Sequence, residues 1–215
     1  MDKKKIISII GVVILAIIVI LVAITFRKYI IITKLQTKVS QYSESSNFYT
    51  KSTTLTDDGT KVVIEYYKKD QKQMVKILKE ENKEITTTLM YDNGESVDTF
   101  IESPNEKIAK LNRKTNISVN IYNHLENENK WQTLLGCFSA KVKTNIYNDK
   151  ECYIIRDFIS STSLTAKDTE IYIEKDTGLL LKTVNATDNT EKEYQFDNVT
   201  DDIFIEPEIN QYEIQ

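Results

Sequence analysis

The chain begins with an uncharged apolar segment that constrains the fold more than any other part of the sequence. Residues 6–26 lack charged side chains and lie between the lysines at 3–5 and the basic pair Arg27 and Lys28. These 21 residues would form a helix of roughly 31 Å, about the thickness of the hydrocarbon core of a bilayer. The sequence therefore predicts a single-pass membrane anchor at residues 6–26.

The same segment also has features of a secretory signal peptide, which begins with basic residues followed by an apolar run. The apolar part of a signal peptide is typically about 7–15 residues long, shorter than the run seen here. The small-residue cleavage site offered by Ala23 and Thr25 is a poor one. The length favours an uncleaved anchor, with a cleaved signal as the alternative.

Positive charge flanks the apolar segment on both sides. The lysines at 3–5 are nearly balanced by Arg27, Lys28, Lys34 and Lys38, whereas orientation normally follows an excess of positive charge on the cytoplasmic side. The two-residue lead before the first lysines resembles the start of an export signal. We therefore expect a cytoplasmic N-terminus, a location in the cell membrane and a C-terminal domain outside the cytoplasm.

The rest of the chain is acidic. The sequence has 28 Lys and Arg and 32 Asp and Glu; removing residues 1–28, with five basic residues and Asp2, leaves 23 basic and 31 acidic residues, a net charge of −8 over 187 residues. Such a domain is repelled by nucleic-acid phosphates, so nucleic-acid binding is not expected. This length fits one domain with a single core.

A juxtamembrane helix is predicted directly after the anchor. Ile31, Leu35, Val39 and Tyr42 recur at spacings of four, four and three, which places them on one helical face. Polar residues at 43–47 end the pattern. The predicted boundaries are 1–28 for the transmembrane anchor, 29–46 for the amphipathic helix and 47–215 for the remaining domain.

Beyond residue 47 the sequence is typical of an antiparallel β-sheet. The Asp-Asp-Gly at 57–59, Asp-Asn-Gly at 92–94 and Asp-Thr-Gly at 176–178 suit the positive φ angles of tight turns between short β-rich runs. Many short strands at this spacing indicate one large antiparallel sheet or an open barrel. The predicted strands lie near residues 47–55, 60–68, 73–79, 84–91, 95–101, 138–147, 151–159, 168–175, 179–186 and 191–197.

Residues 103–136 interrupt this strand pattern. Ile121 and Leu125, followed by Trp131, Leu134 and Leu135, have helical spacing, with a polar bend at 126–130 between the two groups. We predict one or two short helices here. A helix inserted in the middle of a sheet commonly covers one of its faces.

The sequence offers few candidate motifs for catalysis or metal binding. His124 is the only histidine, so a histidine-based metal site or a Ser-His-Asp triad would depend on it alone, and its polar neighbours favour a solvent-facing side chain. The acidic pairs at 57–58 and 201–202 lack the spacing of a calcium-binding loop. We expect no catalytic residue, no metal site, no cofactor and no enzymatic activity.

Cys137 and Cys152 are the only cysteines. A disulfide is permitted in an exported domain and would close a loop of about 15 residues, worth about 3 kcal/mol in the chain-entropy model. Against it, the turn at 149–150 would pair Cys152 with a residue near Tyr147, and cysteine in a strand commonly behaves as a small apolar side chain. Both states stay open, with separate thiols favoured.

Several short motifs lie in the second half of the chain. They are Lys-Glu-Cys-Tyr-Ile-Ile at 150–155, the run at 171–182 that contains Lys-Asp-Thr-Gly, Tyr-Gln-Phe at 194–196 followed by Asn-Val, and Ile-Phe-Ile-Glu-Pro at 203–207. Together with the order of elements, they resemble the lipoprotein-carrier (LolA-like) superfamily, which includes RseB-like proteins. The resemblance extends over residues 30–212, and its motifs are structural.

This resemblance implies an α+β fold, in which a half-open antiparallel β-barrel is covered by the N-terminal amphipathic helix and a central helical insertion. Residues 172–182 would form one hairpin of the barrel, and residues 204–207 would pack at its edge. The concave sheet would hold an acyl chain or a hydrophobic peptide in an apolar hollow. None of the family's ligand-binding residues can be assigned to a position here.

Two functions fit these features. One is a membrane-tethered extracytoplasmic domain that binds a lipid-like or hydrophobic ligand in a concave β-sheet; the 12 Tyr, seven Phe and one Trp suit a partly wet apolar cavity but equally a filled core. The alternative is an envelope protein-interaction or regulatory module without a small ligand. That alternative predicts a filled core and an exposed apolar patch or sheet edge.

Overall fold

A computed structural model describes residues 3–42, 45–115, 117, 129–158 and 169–215, with side chains from residue 8 onward. The chain opens with one continuous helix, α1 (Lys3–Ser40). This helix joins the apolar segment to the amphipathic segment without a break. Within the described residues it is the one helix long and apolar enough to cross a membrane.

The β-rich part of the chain forms one open sheet, with twelve strands in its described residues. The strands are β1 (Asn47–Thr56), β2 (Lys61–Lys69), β3 (Lys72–Glu81), β4 (Glu84–Asp92), β5 (Val97–Glu102), β6 (Lys107–Arg113), β7 (Lys141–Tyr147), β8 (Lys150–Arg156), β9 (Glu170–Glu174), β10 (Leu180–Val184), β11 (Asp188–Phe196) and β12 (Glu213–Ile214).

The strand order is β12-β6-β5-β4-β3-β2-β1-β11-β10-β9-β8-β7. All neighbours are antiparallel except β12, which runs parallel to β6. Two meanders, β1 to β6 and β7 to β11, are therefore joined through the long pairing of β1 with β11. The outcome is a large, mostly antiparallel open sheet, as the sequence predicts.

A second helix, α2 (Lys130–Ser139), precedes β7. Its first turn is closed by a capping box, because Asn129 Oδ1 accepts a hydrogen bond from Gln132 N at 2.9 Å and Gln132 Oε1 accepts one from Asn129 N at 3.2 Å. Thr133, Gly136 and Cys137 form its buried side. This helix begins near the C-terminal end of the region, residues 103–136, for which the sequence predicts one or two short helices.

The amphipathic end of α1 packs on one face of the sheet, which we call the helix-bearing face. Ile32 and Leu35 of α1 lie in a buried cluster with Cys137 and Ala140 and with apolar residues of β8, β9 and β10. Val39 is fully buried one turn further along, and Tyr42 stacks on Phe196 with ring centroids 4.6 Å apart. Ile31, assigned to this face from its spacing, is only partly buried, and Ile32 takes the central position.

The turn between β9 and β10 holds α1 in place. Gly178 adopts a positive φ of 75°, and a Cβ at this position would lie 2.5 Å from the backbone oxygen of Leu35. Lys38 Nζ donates a hydrogen bond to the Lys175 carbonyl at 2.5 Å. The close approach of two backbones therefore requires glycine here.

The opposite face of the sheet is covered by the C-terminal residues. Ile203, Phe204 and Tyr212 pack on a cluster of Met74, Tyr91, Phe100 and Ala109. The Tyr212 hydroxyl donates a hydrogen bond to Glu102 at 2.6 Å. The sheet therefore has a separate apolar layer on each side.

All ten predicted strands are present, within a few residues of their predicted ends. The prediction is wrong for residues 107–113, which fall in the region assigned to helices and instead form β6, paired with β5. Residues 138–140 belong to α2 and its C-terminal cap rather than to a strand. The candidate helical residues Ile121 and Leu125 lie outside the described residues.

The two cysteines are buried thiols, and they are not joined in a disulfide. Cys137 packs beside α1 on the helix-bearing face. Cys152 pairs with Asn145 and Glu174 in the sheet, and this register places its side chain on the opposite face. The turn predicted at 149–150 lies one residue earlier, at Asn148 and Asp149. Lys150 therefore pairs with Tyr147, and Cys152 lies opposite Asn145 rather than Tyr147.

Candidate functional site

The helix-bearing face continues beyond α1 as a row of apolar side chains across β2 to β6. Ile64 lies opposite Ile77, Ile77 opposite Thr88, and Thr88 opposite Ile101. Ile108 of β6 then follows Ile101. Val62 and Met90 flank this row on the same face. We call Val62, Ile64, Ile77, Met90, Ile101 and Ile108 the apolar patch.

The apolar patch is only partly covered. Each of its six side chains is partly buried, neither fully exposed nor enclosed. With strands about 4.8 Å apart, the row from β2 to β6 is about 19 Å long. Ile64, Ile77 and Met90 pack in part against a buried cluster that includes Phe48, Tyr66 and Ile117. The portion of the row that stays exposed is long enough to contact an extended apolar ligand.

Around Tyr66 and Asp92 the helix-bearing face is buried, and the polar groups of these two residues form hydrogen bonds. The Tyr66 hydroxyl donates to Gln73 Oε1 at 2.5 Å, and burial, helped by the charge of Asp92, raises the pKa of Tyr66 to about 12. Asp92 in turn accepts hydrogen bonds from the backbone of Gly94 and Ile117. These groups stabilise the fold and do not need a ligand.

Lys192 continues the row of the apolar patch beyond its β2 end, two strands away from Ile64. It lies opposite Ser52 of β1, and Ser52 lies opposite Ile64. Burial lowers the pKa of the Lys192 ammonium. None of the ion pairs among the described residues includes Lys192. A partly buried cation thus faces the same side as the apolar patch.

The described side chains next to Lys192 on this face are neutral. Its neighbour on β11 is Tyr194, whose hydroxyl donates to the Leu180 carbonyl at 3.0 Å and whose pKa is raised by burial. Thr190, on the other side, shares a hydrogen bond with Thr54 at 2.9 Å. An acidic group of a ligand beside Lys192 would replace the hydration that the ammonium loses on burial.

Sequence reasoning did not identify Lys192, although a signal for it exists. In β11, residues 192, 194 and 196 lie on one face because side chains alternate along a strand. Since Tyr194 and Phe196 point toward the core, the same alternation assigns Lys192 to the inner face.

The residues considered for catalysis do not come together into a site. His124 lies outside the described residues. Asp58 accepts hydrogen bonds from Thr56 and Thr60 within its turn, and Asp201 pairs with Lys69 at 2.6 Å. Where the structure is described, no group of three or more His, Cys, Asp and Glu side chains is arranged to hold a metal ion.

A groove of about 570 Å³ lies beside the β3–β4 and β5–β6 turns, at the ends of these strands. It is open to solvent, and charged side chains line it, among them Lys83, Glu84 and Lys107. Glu102 in this groove already pairs with Lys107 at 3.0 Å and with Tyr212. Its lining does not suit an acyl chain, so the apolar patch is the better candidate site.

Comparisons with known proteins give low similarity. No family model matches the chain, and no curated protein matches it. Among solved structures, it is similar to an uncharacterised conserved protein from Thermus thermophilus, with 12% identity and a TM-score of 0.45 over 85% of this chain and 98% of that chain.

Two further similar structures are a DUF1329 family protein from Desulfovibrio piger and a LolA superfamily protein from Nitrosomonas europaea. The first has 11% identity and a TM-score of 0.33, over 85% of this chain and 97% of that one. The second has 9% identity and a TM-score of 0.23, over 81% and 97%. The structural neighbours thus include the superfamily that the sequence motifs resemble. At these TM-scores, the function has to be inferred from the side chains of this chain.

Proposed function

We propose that this chain is a membrane-tethered binding domain that holds a lipid-like ligand, an apolar chain with an acidic end, on the helix-bearing face of its sheet. In this proposal the sheet curves around the ligand as a half-open barrel. Residues 1–28 form the anchor, residues 29–46 the juxtamembrane helix and residues 47–215 the binding domain. The domain works outside the cytoplasm, and it binds rather than catalyses.

The observation that carries the proposal is the single row from Lys192 through the apolar patch. Ser52, Ile64, Ile77, Thr88 and Ile101 follow Lys192 at successive strands. An extended chain laid across the strands would place its apolar part on the isoleucines and its acidic end at Lys192. Burial of the apolar part stabilises the complex by about 25 cal/mol per Å².

The test is photo-crosslinking of the full-length protein in its membrane with a palmitic acid analogue that carries a diazirine and an alkyne. We expect crosslinked peptides from β2 to β5. Ile77→Glu should reduce crosslinking roughly tenfold or more, because a carboxylate in an apolar site costs more than about 1.4 kcal/mol. Crosslinking that is confined to α1 would contradict the proposal.

Leu78→Glu is the matched control, because Leu78 is adjacent in β3, is partly buried as Ile77 is, and points to the opposite face. It should retain crosslinking if the ligand lies on the helix-bearing face. Equal losses in both variants would show that the strand, rather than the site, had been damaged. Absence of crosslinking in the unmodified protein would favour the envelope protein-interaction module, which in-membrane protein crosslinking would then examine.

A further inference from the structure

Helix α2 has a second apolar side that faces solvent. Trp131, Leu135 and Phe138 follow at spacings of four and three, so they lie along one stripe of the helix. Their exposed fractions are 74%, 65% and 60%. Because Gly136 and Cys137 on the other side are buried, α2 is apolar both toward the core and toward solvent. A helix on the surface of a water-soluble domain normally turns a polar face outward.

The position of α2 along α1 is fixed by one hydrogen bond and one cluster. Lys28 Nζ donates to the Cys137 carbonyl in the last turn of α2 at 3.2 Å. Ile32 and Leu35 of α1 share a buried cluster with Cys137. The C-terminal end of α2 is thus tied to α1 only two residues beyond the last residue of the apolar segment, Phe26.

The exposed fraction of the side chains of α1 changes near the same level, about one turn before Lys28. Thr25 is 6% exposed, whereas Ile24 and Phe26 on either side are 48% and 57% exposed. An element therefore packs against α1 within the last turn of the apolar segment, and α2 is the described element in most extensive contact with α1. If residues 6–26 cross the bilayer, α2 lies at the level of the lipid headgroups.

We propose that α2 is an interfacial helix, which seats Trp131, Leu135 and Phe138 in the headgroup region of the membrane that α1 crosses. This inference rests on the proposed tethering by α1. Tryptophan is enriched at this depth because its ring is amphipathic, and an apolar stripe is the means by which a helix lies in the interface. Arg27 and Lys130 are exposed and can contact anionic headgroups. The binding domain would thereby be held against the membrane from which its ligand comes.

Trp131 is the only tryptophan of the chain, so its fluorescence reports on α2 without a label. The experiment places the full-length protein in nanodiscs of phosphatidylcholine with a minority of phosphatidylglycerol. Bromine atoms on the acyl chains are placed either near the headgroup or near the bilayer centre. We expect blue-shifted emission and stronger quenching by the bromines near the headgroup. Leu135→Glu together with Phe138→Glu should lower this quenching at least twofold, whereas Ile85→Glu, an exposed apolar residue of β4, should leave it unchanged.

Other outcomes overturn the inference in distinguishable ways. A protein that co-elutes with nanodiscs, but whose Trp131 is quenched by aqueous iodide and not by brominated lipid, is tethered without an interfacial α2. Protection from both quenchers, with a crosslinked dimer, assigns the stripe to a second copy. Strongest quenching by the central bromines contradicts a headgroup location. A protein that does not associate with nanodiscs contradicts the tethering itself.

Discussion

Lys192 is the residue that most limits what the helix-bearing face can bind. Among the described residues no acidic side chain pairs with this partly buried ammonium, and its loss of hydration destabilises the folded protein. The same loss of hydration lowers the pKa of Lys192. Binding of an acid would raise this pKa again, because the opposite charge favours the ammonium form. The affinity for an acidic ligand should fall as the pH rises and Lys192 loses its proton. This fall should occur at a lower pH than it would in a site formed by an exposed lysine.

Replacing this charge should change stability and binding in opposite directions. We expect Lys192→Met to raise the free energy of unfolding by about 0.5–1 kcal/mol and to weaken binding of palmitic acid, with little effect on binding of its methyl ester. Urea denaturation and a fluorescent displacement assay measure the two effects. Lys61→Met, at an exposed position of β2, is the control. Equal weakening for the acid and the ester would contradict a charge-specific role.

The two thiols should be inert in the folded protein. Burial, together with the nearby charge of Glu174, raises the pKa of Cys152, so less of the reactive thiolate is present at neutral pH. We expect iodoacetamide to modify neither Cys137 nor Cys152 until the protein is unfolded, and electrophoretic mobility to be the same with and without reductant. A mobility shift on reduction would show that a disulfide forms.

Among the secondary-structure elements, the contact between α1 and the β9–β10 turn couples the long N-terminal helix to the sheet. Gly178→Ala should lower the free energy of unfolding by roughly 1–3 kcal/mol for the strained backbone alone, and by more because the new Cβ meets the Leu35 carbonyl. Denaturation of the full-length protein in micelles, followed through Trp131 fluorescence, measures this change.

Gly59→Ala is the control for Gly178→Ala. Gly59 also has a positive φ, of 85°, but a Cβ there would have no atom within 4 Å. The difference between the two variants therefore reports the packing of α1 on the turn. If both variants lose the same stability, α1 does not depend on this contact.

Strand and helix positions were predictable where local chemistry decides them. The turn at 176–178 and the alternation around it locate the β9–β10 hairpin, and the spacing of Leu35 and Val39 locates the buried side of α1. The strand β6 could not be recognised, because Ile108 and Leu111 at a spacing of three fit a helix locally and only pairing with β5 makes the segment a strand.

The candidate site was less predictable than the elements that form it. The apolar patch depends on which strands become neighbours, and the pairing of β1 with β11 joins residues more than 130 positions apart. Without this pairing nothing connects Lys192 to Ile64. The outward stripe of α2 was equally hidden, because Trp131 and Leu135 read as ordinary core positions in the sequence.

At the scale of the whole molecule, α1 connects three apolar surfaces. They are its own apolar segment, the exposed apolar side of α2 and the apolar patch on the sheet. The apolar segment of α1 ends beside α2, and the continuation of α1 packs on the face of the sheet that bears the apolar patch. A ligand leaving the membrane would therefore meet the domain on the side at which it is anchored. This relation holds only if α1 stays attached and the domain lies on one side of the membrane.

Labelling with a membrane-impermeant maleimide tests this arrangement in whole cells. We expect Asp149→Cys, in the exposed turn before β8, to be labelled in intact cells, and Asp2→Cys to be labelled only after the membrane is opened, because α1 separates the two positions. The native thiols are buried and should stay unlabelled in the parent protein, which serves as the control. Labelling of Asp2→Cys in intact cells would reverse the orientation. A mature chain whose mass lacks the apolar segment would instead identify a cleaved signal peptide, and the binding domain would then be free to leave the membrane with its ligand.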